Sequence, residues 1–291
     1  MKQPKGVLLT DFDGTVKRNS IFLDIVHEMV RVGLLNEQVA AEIDAFKESW
    51  EAREGSFDDY MMKAVRLFEA NLAGVAVSEY DAVVERVLSR EKNNLYRFSR
   101  ALIQKKIDDG WFVCGISASP ESAVKAFARA WGMHEAHGTK MFKKDGVFTG
   151  ERTLLDREGK QKVIRGVLER FPDVPRAKIW ACGDTTGDFP MLMMPEVGTS
   201  ICINPSADLM KAVLDGGYDA VTKTWFVIER KDVIYEFWAF PGQISRAYRI
   251  HRVDTGLLAG NSVYFDEFRS VERVEIEMFY DTSNNNRTLL S

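Results

Sequence analysis

Apolar positions along this chain fall into two rhythms. Val7-Leu8-Leu9-Thr10 runs through Asp11 and Phe12 into Asp13-Gly14, a short apolar stretch ending in acids and a glycine. It predicts a buried strand from Val7 to Phe12 whose carboxyl end delivers Asp11 and Asp13 to a loop. From Ser20 to Asp109 the spacing turns helical: Phe22, Ile25, Val26, Met29 and Val30, then Val39, Ile43, Phe46 and Trp50, then Tyr80, Val83, Val84, Val87 and Leu88. Apolar residues three and four apart line one helix face, so an all-helical insert is expected. Glu54-Gly55-Ser56 reads as a break within it and Ser78 with Asp81 as a capping pair.

After Gly110, strands and helices alternate. Trp111 to Ile116 reads as a strand, Glu121 to Trp131 as a helix, and Lys140 to Gly150 as a hairpin turning at Asp145-Gly146. A helix bearing Val163, Ile164, Val167 and Leu168 follows, then strands at Lys178 to Cys182 and Thr199 to Ile203. Repeated strand, helix and strand imply an α/β fold, a doubly wound parallel sheet with helices on both faces. Beyond about residue 240 this rhythm breaks, and Val271 to Met278 alternates like an added edge strand, with dimerisation as the alternative.

Composition changes the picture little. A chain of 291 residues, 45% hydrophobic, can bury a sizeable core. Cys114, Cys182 and Cys202 each sit in an apolar run and are expected as buried free thiols. The N-terminus reads as neither signal peptide nor anchor, and no stretch of about 18 apolar residues occurs, so a cytoplasmic protein without a membrane partner is expected. Net charge of -4 gives no general attraction to nucleic acid.

Asp11-Phe12-Asp13-Gly14-Thr15 places two carboxylates two positions apart, so both can point to one side of the sheet. One can attack phosphorus while the other handles the proton, because a carboxylate nucleophile divides phosphoryl transfer into two displacements. Phosphate is itself an anion, so a cation is needed between it and the acids. Mg2+ with oxygen ligands from Asp11, the Asp13 backbone carbonyl and Asp184 would meet that need. Ser117, with backbone N–H groups near Ala118, can hold phosphate oxygens at a helix start, and Lys160 supplies a fixed positive charge. Asp188 suits holding Lys160 or a metal-bound water. Lys162 competes for the role of Lys160. Lys17 and Arg18 would suit an extra acidic group on a substrate, or form a solvated turn. His134 and His137 lack a completed ligand set and receive no role.

The order Asp11-x-Asp13-Gly14-Thr15, Ser117, Lys160 and Gly183-Asp184-x-x-x-Asp188 resembles the four motifs of the haloacid dehalogenase superfamily. The helical insert resembles its small cap, and Ser117-Ala118-Ser119-Pro120 with the Gly138-Thr139-Lys140 hairpin is closest to the phosphoserine-phosphatase-like branch. The resemblance implies Asp11 as nucleophile, Asp13 as general acid/base and Lys160 over Lys162. It also implies a core over residues 1–16 and 110–240, a cap over 17–109, and an extension of unknown role over 241–291. Phosphoserine phosphatases carry a cap glutamate where this chain has Ser20, which weakens phosphoserine as the substrate. The expected activity is Mg2+-dependent hydrolysis of a small phosphorylated metabolite through an aspartyl phosphate. The alternatives are a phosphotransferase passing the group to a second hydroxyl, and a non-catalytic phosphate-ester binding protein. Whether the chain is a monomer or homodimer is left open.

Overall fold

The computed structural model describes residues 3–52, 54–55, 57–216, 223–230, 233–240, 243–252 and 274–275. Its central strand, β1 (Val7–Thr10), pairs in parallel with β2 (Phe112–Pro120) on one side and β5 (Ile179–Gly183) on the other. Parallel pairing continues from β2 to β3 (Glu135–Lys144), and from β5 through β6 (Thr199–Ile203) to β7 (Lys223–Arg230). All four residues of β1 are buried, as expected of a strand covered on both faces. The chain builds outward from β1 first on the β2 side and later on the β5 side. That reversal opens a crevice at the carboxyl end of β1, where ligands bind in open α/β sheets.

Alternate strand residues serve two separate cores. Leu8, Val113, Ile201 and Ile203 pack on one face with α1 (Ile21–Arg31), α5 (Arg97–Asp108) and α6 (Glu121–Ala130). Val7, Leu9, Cys114, Ile116 and Cys202 pack on the other with α7 (Arg157–Leu168), α8 (Phe189–Leu192) and α9 (Ala207–Gly216). The sheet is therefore doubly wound as expected, and the three cysteines are buried and free. Both edges are antiparallel, one as the expected hairpin and the other as a feature not expected from sequence. β4 (Val147–Thr153) closes the predicted hairpin, with Asp145 and Gly146 both at positive φ in its two-residue turn. On the opposite side, β8 (Val233–Phe240), β9 (Gln243–Arg252) and the two-residue β10 (Val274–Glu275) extend the sheet beyond β7. The sheet thus runs past residue 240, and of the expected tail strand only Val274–Glu275 lies within the described residues. Among the described residues, no helix is long and apolar enough to cross a membrane.

Between β1 and β2 the insert comprises α1, α2 (Glu37–Glu51), α3 (Phe57–Leu72), α4 (Val77–Glu91) and then α5. The expected break at residues 54–56 falls between α2 and α3. The expected cap at Ser78 does not form: α4 begins at Val77 after Ala76, so Ser78 lies inside its first turn. Ser20 instead caps α1, its hydroxyl accepting from the Leu23 amide at 3.4 Å. Hairpin β3–β4 braces the insert, because the Gly74 and Val77 amides donate to the Phe148 and Gly146 carbonyls. The Tyr80 ring meets Phe148 edge-on with centroids 5.1 Å apart.

The two linkers of the insert are stitched together. Arg18 N–H donates to Asn94 O at 3.1 Å, and Tyr96 N–H donates to Val16 O at 3.0 Å. Both cations beside the first motif are engaged in ion pairs, Lys17 out of solvent and Arg18 with its side chain partly exposed. Lys17 is fully buried and ion-paired with Asp24 and Glu91, whereas Arg18 pairs with Glu229 of β7 at 2.7 Å. The other Glu229 oxygen accepts from the Phe98 amide at 3.0 Å, satisfying one of the unpaired N–H groups at the start of α5. One buried carboxylate therefore holds both linkers.

Glu229→Ala is expected to lower stability by about 1–3 kcal/mol, since it removes the buried carboxylate that accepts from the Phe98 amide while half-exposed Arg18 recovers water. Urea unfolding of the variant beside the parent chain measures this. An unchanged midpoint would show that the linkers do not depend on Glu229.

Candidate active site

Asp11 lies just beyond β1, its amide donating to the Cys182 carbonyl of β5 at 3.0 Å. Phe12 turns to the opposite face and packs on Gly115, where a Cβ would lie 2.0 Å from its ring. Between two carboxylates, this aromatic anchor fixes the side of the sheet that Asp11 and Asp13 occupy.

Lys160 reaches Asp11 from α7. Its position follows from helical periodicity: Lys160, Ile164 and Val167 form the buried stripe of α7, with Asp156 capping the helix through the Gly159 amide. Lys162 is exposed and lies off this stripe. Lys160 Nζ donates to Asp11 Oδ1 at 2.9 Å and to Asp188 Oδ1 at 2.6 Å. Burial opposes its charge, but Asp11 and Asp188 outweigh that and raise the ammonium above its ordinary pKa.

Asp184 and Asp188 come from the loop after β5. Asp188 is held in a tight turn, its Oδ2 accepting from the Asp184 and Thr185 amides, both at 3.2 Å. Gly183 permits this approach, since a Cβ there would stand 2.4 Å from that of Asp188. Thr15 donates to Asp184 Oδ1 at 2.9 Å. Gly14, at φ 82, leaves room for Asp184, whose Oδ2 would be 2.0 Å from any added Cβ.

The carboxylates of Asp11, Asp184 and Asp188 lie within 4.8 Å of one another. Burial raises the pKa values of Asp11 and Asp184 well above the ordinary range, and repulsion from Asp188 adds to this. One ammonium facing three carboxylates leaves a surplus of negative charge, and an oxygen-only donor set of this kind fits a hard divalent cation. Of the expected metal ligands, Asp11 and Asp184 lie together in this cluster, with Asp188 as a further neighbour. The Asp13 side chain is not in that cluster.

Asp13 instead faces β2. Ser117 and Ser119 hydroxyls donate to its Oδ2 at 3.1 and 2.6 Å, and the Ile21 amide donates to Oδ1 at 2.5 Å. Burial raises its pKa, opposed chiefly by the Ser119 hydrogen bond. Ser117 also accepts from the Ser119 amide at 3.0 Å, so it is oriented on both sides. Ala118 is the exposed position of β2, and its carbonyl accepts from Thr139 at 2.6 Å. Ser119 and Thr139 had received no role from sequence. Both stand in quoted motifs, but which atoms they meet depends on the pairing of β2 with β1 for Ser119 and with β3 for Thr139.

The raised Asp11 and Asp184 values make cation binding compete with protons. Without a cation, the folded state retains protons that the unfolded chain has already lost, so these acids destabilise it as pH rises through their raised values. The gain in melting temperature on adding Mg2+ is therefore expected to be large near neutral pH and to shrink toward pH of about 4–5. Thermal melts with and without Mg2+ across that range measure it, and a larger gain at acid pH would contradict the charge balance described.

The sequence matches the family described as haloacid dehalogenase-like hydrolase over residues 8–193. It is 28% identical over 159 residues to "Phosphoserine phosphatase SerB1" of Mycobacterium tuberculosis, covering 54% of this chain and 50% of that protein. Over 214 residues it is 28% identical to "Probable phosphatase Rv3661" of the same species, covering 73% of each. It spans about half the length of the first of these relatives. A solved structure titled as a phospho-aspartyl intermediate analogue of phosphoserine phosphatase superposes with a TM-score of 0.52 at 19% identity, over 72% of this chain and 91% of that one. With the matched region running from β1 through the Asp188 turn, the chain belongs to the haloacid dehalogenase-like hydrolases.

Proposed function

We propose that this protein is a phosphatase that hydrolyses a small phosphomonoester through a phosphorylated Asp11. The observation that carries the reading is the division of labour between the two acids of the first motif. Asp11 is paired with Lys160 and belongs to the acidic cluster, while Asp13 is separately held by Ser117, Ser119 and the Ile21 amide. Nucleophile and proton carrier require such different surroundings. The named phosphatases among the relatives support the same reaction class.

In this reading Asp11 Oδ attacks phosphorus, the P–O bond to the substrate alcohol breaks, and Asp13 gives its proton to the departing alkoxide. A raised pKa favours the protonated Asp13 that this step needs. Asp13 then takes a proton from water as the water oxygen displaces Asp11 from phosphorus, releasing inorganic phosphate. Lys160 balances charge at the phosphoryl group, and Ser117 with the backbone at Ala118 orients its oxygens. Mg2+ is the cation proposed for Asp11, Asp184 and the Asp13 carbonyl, where it would screen the phosphate from the acids. The insert acts as a cap over the crevice, excluding bulk water. Ser20 carries no charge and is occupied in capping α1, so the substrate class is left broader than phosphoserine.

Phosphate release from a panel of phosphomonoesters with Mg2+ tests the reading. Chelation and Asp11→Asn are each expected to abolish release, and Asp13→Asn to slow it by about 100- to 10,000-fold. Full activity in Asp11→Asn would exclude Asp11 as the nucleophile.

A further inference from the structure

Outside the carboxylate crevice, a second group of potential metal ligands forms where β2 meets β3. Cys114 is in register with Glu135, and Ile116 with His137. The two-residue repeat of paired strands therefore puts Cys114, Glu135 and His137 on one face, the face packed against α7. Their donor atoms lie within 4.8 Å of one another. Glu135 and His137 also line a cavity of about 460 Å³, together with Lys162, Val163 and Arg170, while fully buried Cys114 lies outside its lining. His137 and Glu135 are each about one-quarter exposed, at 28% and 27%, which leaves an entry path.

The geometry points to a cation site at Cys114, Glu135 and His137 that takes a borderline-soft divalent ion such as zinc. A thiolate and an imidazole favour zinc over magnesium, and three protein ligands leave a fourth position facing the cavity. On binding, the Cys114 S–H proton passes to solvent. The thiolate and the Glu135 carboxylate then balance the two charges of the ion.

The surroundings already contain the support such a site needs. Arg170 donates to Glu135 Oε2 at 2.7 Å and is itself held over the rings of Phe112 and Phe171. It can keep that oxygen while Oε1, now 2.6 Å from His137 Nε2, turns to the ion beside the imidazole. Metal ligands are commonly oriented by such an outer partner. His134, three positions before His137, does not take part: its Nδ1 accepts from the Val113 amide at 3.1 Å. Sequence spacing suggested a histidine pair, but the companions of His137 come from the neighbouring strand and its own strand.

Co2+ titration of the full chain in excess Mg2+ tests the proposal, because an oxygen-only site gives no thiolate-to-cobalt charge-transfer band. One equivalent is expected to produce that near-ultraviolet band, and Zn2+ to displace it. Cys114→Ser should abolish the band, and His137→Gln should weaken Co2+ binding by about tenfold or more. Absence of the band in the parent chain would overturn the site, as would a band that persists in Cys114→Ser. If Cys114→Ser fails to fold, His137→Gln decides: unchanged Co2+ affinity in that partly exposed variant overturns the proposal.

Discussion

The ammonium of Lys160, shared between Asp11 and Asp188, is the interaction on which the site depends. Three elements distant in sequence meet there: the end of β1, the first turns of α7 and the turn after β5. Losing one partner of a buried ion pair costs several kcal/mol, because the remaining charge is left without water. Lys160 therefore fixes where α7 begins relative to the sheet as well as neutralising charge. The glycines at positions 14 and 183 belong to the same constraint, since they leave the space that Asp184 and Asp188 fill.

Much of this was readable from local pattern. The uninterrupted apolar run of β1 and the acids that end it mark a buried strand feeding a crevice. The family resemblance favours Lys160 over Lys162, and the structure supplies the physical reason, since only Lys160 continues the buried stripe of Ile164 and Val167 on α7. Other features depend on strand pairing and are silent in linear order. Ser119 bonds Asp13 across 106 positions, and Glu229 meets Phe98 across 131. The meander of β7, β8 and β9 did carry a local signal, in aromatic and β-branched runs separated by Lys231-Asp232 and Pro241-Gly242. Its strands are not among those expected from sequence, which end at Ile203 apart from the tail strand near residue 271.

Charge assignment was harder to read than secondary structure. Lys17 and Arg18 stand next to the first motif, where unpaired cations would face an anionic substrate. Their partners Asp24, Glu91 and Glu229 lie 7, 74 and 211 positions away, so their neutralisation emerges only from the fold. The same distinction separates His134, bonded to the backbone of β2, from His137, which stands beside two further donors.

Besides the packing of α1 and α5 on the sheet, two sets of bonds tie the insert to the core. One is the stitched pair of linkers at Val16, Arg18, Asn94 and Tyr96, secured by Glu229; the other is the strap formed by β4 along Gly74 to Val77. Because β4 is both the partner of β3 and the strand to which residues 74–77 are bonded, a displacement of the insert at that strap is passed into β3 and along the sheet.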